Sequence, residues 1–65
     1  MPQEWTGDLI GRMHNRGVTS KMLASRLGIT KEYVSMVFRG KKNPKNAQER
    51  FEEAFKQIVS EMDGK

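Results

Sequence analysis

The side chains able to do chemistry fall into two unequal groups. His14 is the only histidine and there is no cysteine, and no carboxylate pair is set toward that imidazole. A nucleophile–base couple, a metal-ligand cluster and a glycine-rich phosphate loop are all missing from the pattern. Neither catalysis nor a metal or other cofactor is therefore expected, and His14 reads as a partial cation at the end of a helix. The second group is the run "RGKKNPKN", which brings Arg39, Lys41, Lys42 and Lys45 close together. Clustered ammonium and guanidinium groups attract phosphates and other anions. Taken alone, such a run is a solvated loop as readily as a binding surface. Its meaning depends on the elements that hold it.

Charge is spread unevenly along the 65 residues, whose formal total is +4. Residues 1–45 hold nine Lys/Arg against three Asp/Glu, and residues 46–65 hold three against five. One side of the fold should thus be basic and the other mildly acidic, as suits a protein that meets a polyanion on one side only. Charge by itself leaves an anionic membrane surface open. The length allows one domain over 1–65 with a thin core. Absence of cysteine suits a reducing cytoplasm. The opening "MPQEWTGDLI" lacks the basic-then-apolar layout of a signal peptide. No apolar stretch nears the roughly 20 residues that a membrane span requires.

Every apolar pattern in the chain has helical spacing, and none alternates as a strand would. The first helix is expected from about Gly7 to Asn15, with Thr6 as its N-cap, Asp8 at its positive end and Trp5 stapled onto Ile10. Leu9, Ile10 and Met13 form its inward stripe, and Gly17 ends it. The second runs from about Ser20 to Leu27, capped by Thr19, with Leu23, Ala24 and Leu27 inward. The third runs from about Lys31 to Phe38 or Arg39, capped by Thr30 and ended by Gly40. The fourth spans about 47–62 behind a capping box of Asn46 and Glu49. Its stripe is Ala47, Phe51, Ala54, Phe55, Ile58, Val59 and Met62, and residues 63–65 should fray.

Gly28 explains how two of these helices meet. A glycine within a helix costs roughly 1 kcal/mol relative to alanine, so its place is a corner. After Leu27 a left-handed residue turns the chain sharply, Ile29 drops toward the core, and Thr30 opens the next helix. Ala24 lies where the two helices cross, and Val34 is the matching inward position on the third. Helix, short glycine turn and helix make the helix-turn-helix geometry.

Residues 18–45, "VTSKMLASRLGITKEYVSMVFRGKKNPK", resemble the Cro and lambda-repressor-like family of DNA-binding regulators. Ala24, Gly28 and Val34 stand at the family spacing, Leu23 and Leu27 precede the turn, and "RGKKNP" follows the third helix. The resemblance implies an all-α fold, a compact domain of four helices or of five, with the helix-turn-helix at about 20–39. Two departures are visible. Ser20 stands where many members have Gln, and Met13 and Phe38 stand where many pair an Arg with a Glu. Packed apolar groups replacing a buried ion pair are often neutral or stabilising.

Helical stepping of about 100° per residue sets Val34, Val37 and Phe38 on one side of the third helix. Glu32, Ser35, Met36 and Arg39 fall opposite, with Lys31 and Tyr33 on the flanks. By resemblance, Lys31, Glu32 and Met36 occupy base-reading positions in a major groove. Lys suits guanine O6/N7, Glu accepts from cytosine N4, and Met packs on a thymine methyl. Tyr33 suits a methyl or a phosphate, and Ser35 shares the outward side. Their plainer roles are a first-turn acid for Glu32, a partner contact for Met36 and a ring laid over the core for Tyr33. Placed directly after this helix, Arg39, Lys41, Lys42 and Lys45 would flank the DNA backbone, where contacts position without specifying. Thr19 and Ser20 add a helix N-terminus suited to phosphate, besides serving as cap and first-turn residue.

The resulting expectation is a sequence-specific double-stranded DNA-binding transcriptional regulator, a small Cro-like repressor on a palindromic operator. So short a domain leaves no room for a separate ligand-sensing module, and no small-molecule ligand is expected. A weak homodimer through Ile58, Val59 and Met62 would double the length of DNA read. The other reading is an adaptor or antitoxin-like module that uses the same fold to bind protein through Tyr33, Met36 and the last helix.

Overall fold

Residues 4–64 are described by a computed structural model, and among them four helices carry the chain: α1 (Glu4–Arg16), α2 (Ser20–Leu27), α3 (Lys31–Phe38) and α4 (Ala47–Asp63). The all-α expectation holds. The bounds of α2 and α3 fall where their caps place them. Thr19 and Thr30 both have extended backbone, and each side-chain oxygen accepts the N–H three residues on, from Met22 and from Tyr33. Each cap satisfies a donor that the first helical turn would otherwise leave unpaired.

Three helices end in the same way. Gly17, Gly28 and Gly40 hold φ near +72°, +74° and +81°. In α2 the Gly28 N–H donates to Ser25 O at 3.3 Å and the Ile29 N–H to Ala24 O at 3.0 Å. The pairs Gly17 to His14 with Val18 to Met13, and Gly40 to Val37 with Lys41 to Met36, repeat the pattern. This is the Schellman arrangement, which satisfies the last carbonyls of a helix. A Cβ at Gly28 would meet nothing within 4 Å. The left-handed backbone, not a shortage of space, is what selects glycine there.

The core is built from one face of every helix. Leu9, Leu23 and Val34 are fully buried, joined by Met13, Val18, Ala24, Val37, Phe38, Phe51, Ala54, Phe55 and Ile58. Burying a side chain such as Leu9 contributes about 1.5–3 kcal/mol relative to exposure. Met13 and Phe38 both belong to this apolar cluster, as expected of residues replacing an ion pair. Phe51 takes both Trp5 and Phe38 edge-on, each with ring centroids 5.7 Å away. α3 and α4 both pack on α1 and α2.

Several expectations fail at the two ends of the chain. Thr6 is not an N-cap, because α1 already runs at Glu4 and Thr6 lies within it at 1% exposure. The earlier start puts Trp5, Leu9 and Met13 at four-residue spacing on one face, so Trp5 meets Phe51 rather than serving as a staple on Ile10. Ile10, one step round the helix from Leu9, is 42% exposed and does not belong to the inward stripe. Leu27, expected inward, is half-buried and packs against the core. Asn46 precedes α4 but forms no capping box: its φ is 60° and its side chain makes no cap hydrogen bond. Asp63 is not frayed, since it ends α4 and pairs with Arg16 at 2.5 Å. Lys65, also expected to fray, lies outside the described residues. Among the described residues no helix is long and apolar enough to cross a membrane.

Candidate nucleic-acid interface

The third helix is held by its inner face and leaves its first turn open. Val34, Val37 and Phe38 are buried, and Ile29 packs against the same core just before the Thr30 cap. Lys31 and Glu32 are exposed. Ser35 and Met36, placed outward by helical stepping, are half-buried. Tyr33 is half-buried too, and it packs against the core cluster. Its ring therefore helps to seat α3, and only Lys31 and Glu32 of the expected readers stand fully clear of the surface.

The start of α2 carries an unusual cap. Thr19 Oγ1 accepts the Met22 N–H at 3.1 Å, and the Met22 thioether accepts the Thr19 N–H at 3.5 Å. Sulfur here takes the part that Glu or Gln plays in a capping box. The arrangement holds an exposed Thr19 and a half-buried Ser20 at the positive end of the helix.

Beyond α3 the chain leaves the core without losing its shape. The N–H groups of Lys41 and Lys42 both donate to Met36 O, at 2.9 and 3.3 Å. Pro44 O accepts from Ala47 at 3.2 Å where α4 begins. The backbone is tied at both ends while Arg39, Lys41, Lys42 and Lys45 remain exposed. Residues 29–46 carry five Lys/Arg against one Glu, a balance equal to the formal +4 of the whole chain. The other cations and carboxylates cancel. The turn and helix of α3 with its following loop are thus the electropositive part of the molecule.

Ion pairing sharpens the contrast. Arg12 meets Asp8 at 3.0 Å and Glu52 at 2.5 Å, Arg16 meets Asp63 at 2.5 Å, and Arg26 meets Glu61. The Arg12 guanidinium also lies 5.6 Å from the Phe55 ring centroid. Its pKa is raised above the ordinary value, first by the hydrogen bond to Glu52 and, against some desolvation, by the charges of Glu52 and Asp8. Among the described residues, Lys31, Arg39, Lys41, Lys42 and Lys45 take part in no such pair. Among the described residues every cross-helix pair uses a carboxylate of α4.

Sequence reasoning missed these clamps. Arg12 and Glu52 are 40 positions apart, and no local pattern announces their meeting. Only Asp8 with Arg12, four apart on one helix, had a readable signal. The Met22 cap was equally hidden, because methionine is not the residue a capping box is searched for.

Of the expected partner surface, Ile58 is in the chain's own core at 6% exposure. It borders a groove with Lys21, Met22, Ser25, Arg26 and Glu61. Val59 is half-buried, and Met62 is 42% exposed. Any contact surface on this part of α4 is therefore smaller than the apolar stripe implied.

A model of a helix-turn-helix family matches residues 12–47, more than half of the chain. The match takes in the end of α1, all of α2 and α3, and the basic loop as far as the first residue of α4. No curated protein and no solved structure matches.

Proposed function

The chain belongs to the Cro and lambda-repressor-like helix-turn-helix family, and from that premise we propose that it is a small cytoplasmic repressor that occupies a DNA operator. DNA binding in the service of transcription is the family's kind of function, and no catalytic step belongs to this reading. The observation that carries the rest is the pairing of an open first turn on α3 with a tethered, unpaired basic loop directly behind it. Lys31 and Glu32 enter the major groove, and Met36 follows deeper along the same helix. Ser35 accompanies them, and Tyr33 adds contact only with the edge of its ring. Arg39, Lys41, Lys42 and Lys45 take phosphates, together with Thr19 and Ser20 at the α2 N-terminus.

Selection from random duplex DNA tests this reading directly, followed by affinity against salt for the duplex obtained. About four phosphate contacts per protomer, some through neutral hydroxyl or amide groups, give a dimer a log–log slope of roughly −4 to −7. A slope near zero and no enriched sequence would remove the proposal.

One recognition helix reads few base pairs, so the operator is palindromic and the protein occupies it as a weak homodimer. The dimer contact falls to Val59 and Met62. Ile58, buried in the chain, supports it from beneath. Sedimentation of Val59→Asp with Met62→Asp, on and off operator DNA, is expected to give a folded monomer with weakened two-protomer binding. Unaltered two-protomer stoichiometry would move the interface elsewhere.

A further inference from the structure

The carboxylates of α4 select their partners. Glu52 takes Arg12 and Asp63 takes Arg16, both on α1, while Glu61 takes Arg26 on α2. All three captured cations are arginines, whose planar fork binds phosphate in two-pronged fashion better than lysine does. Left free, they would spread strong phosphate ligands along both seams of α4. A polyanion would then find a second landing surface. Building on the DNA-binding reading, we propose that Glu52, Glu61 and Asp63 are specificity determinants. They occupy Arg12, Arg26 and Arg16, so that the DNA backbone engages only α3 and the loop behind it.

Two physical effects act together. One guanidinium nitrogen of each arginine, Nη2, is engaged, and each has a carboxylate at hydrogen-bond distance that repels an incoming phosphate. A single exposed ion pair is weak, so Arg16 and Arg26 resist exchange for a phosphate less firmly than Arg12 does. Arg12 is the strongest case against such exchange: a phosphate would have to displace both Glu52 and Asp8 and leave two carboxylates beside itself. α4 lies along α1 and α2, so all three cross-helix pairs sit on those seams rather than beside the exposed turn of α3.

The test compares two charge-matched variants of the full chain. One carries Glu52→Gln, Glu61→Gln and Asp63→Asn, releasing Arg16 and Arg26 and leaving Arg12 held by Asp8 alone. The other carries Glu4→Gln, Glu49→Gln and Glu53→Gln, which removes the same charge from carboxylates that form no ion pair among the described residues. Fluorescence anisotropy is read with a random-sequence duplex and with the selected duplex across a salt series. The first variant should bind the random duplex about tenfold more tightly, its slope steepening by about 0.9 for each phosphate gained. The control should rise only about twofold, through the general field. The ratio of selected to random affinity should narrow in the first variant alone. Equal changes in both variants, or an unchanged ratio in the first, would overturn the proposal while leaving DNA binding intact. Failure of the unaltered protein to bind any duplex removes the underlying reading, and this proposal with it. Circular dichroism checks the fold. Should the triple variant unfold, Glu61→Gln against Glu49→Gln decides by the same ratio, because the Arg26–Glu61 pair is exposed.

Discussion

The turn after α2 and the turn after α3 use one backbone device to opposite ends. Gly28 and Gly40 both have positive φ, and both turns close with the same two backward hydrogen bonds. The residue that follows decides the outcome. Ile29 packs against the core and fixes the angle at which α3 leaves α2. Lys41, at the equivalent place, is exposed. It cannot dock, so the loop stays out with Arg39, Lys42 and Lys45. One turn seats α3 on the core, and the other turns a helix end into a charged rim. Side-chain polarity at a single position after the glycine separates a docked turn from a solvent-facing one.

The largest expected effect comes from removing the charge that distinguishes the second turn. Lys41→Ala with Lys42→Ala removes up to four phosphate contacts from a dimer, which should shallow the log–log salt slope by about 3–4. All duplex sequences should lose affinity alike, while the unfolding midpoint barely moves. A loss confined to the selected sequence would show that these lysines read bases.

Next in size are the residues that the first turn delivers. Lys31→Ala and Glu32→Ala are each expected to reduce discrimination between selected and scrambled duplexes by roughly 1–3 kcal/mol. Tyr33→Ala should behave differently, since its ring packs on the core. It should lower thermal stability together with affinity for every sequence. Equal losses on both duplexes for Lys31→Ala and Glu32→Ala would strip those two of a reading role.

Gly28→Ala comes third. The position has open space, so the cost is the left-handed backbone alone, about 1–2 kcal/mol. For a domain of this size that lowers the midpoint of thermal unfolding by roughly 4–8 °C per kcal/mol. An unchanged midpoint would mean that the turn relaxes into another form.

These same turns explain what was readable from residue types. α2 and the start of α3 fall where the sequence puts them, and the end of α3 is one of the two residues it offers, because Thr19 with Gly28 and Thr30 with Gly40 bracket short apolar patterns with caps of one meaning each. The residues proposed to meet bases and phosphates are chosen by their place on α3 and in the loop behind it. Where a residue type has two uses, sequence failed. Thr6 looks like a cap but is buried within α1. Ile10 has an apolar type but the wrong angle. Ile58 belonged to a stripe longer than the core it serves, and only packing against the other helices separates its buried part from Val59 and Met62. The arginine clamps depend on how α4 lies across α1 and α2, which no local pattern encodes.

Asn46 gives the smallest effect and the sharpest contrast with the two glycine turns. It holds φ 60° and ψ 28° without being glycine, and asparagine is the residue that tolerates this region best after glycine. As a capping box, Asn46 and Glu49 would have extended backbone at Asn46 and a side-chain bond to the helix. Instead the Ala47 N–H is taken by Pro44 O, and Asn46 O accepts from Arg50 at 3.0 Å. The side chain is not needed as a cap, and the backbone is what the residue supplies. The two geometries rank substitutions oppositely. Serine is a good cap but a poor left-handed residue, so Asn46→Ser should cost about 1 kcal/mol. Glycine relieves the backbone but adds freedom to the unfolded chain worth about 0.4–1 kcal/mol, so Asn46→Gly should come out near neutral. Urea unfolding of both variants beside the parent decides between them. Serine as stable as asparagine would restore the capping box, and with it an α4 that starts as its sequence reads.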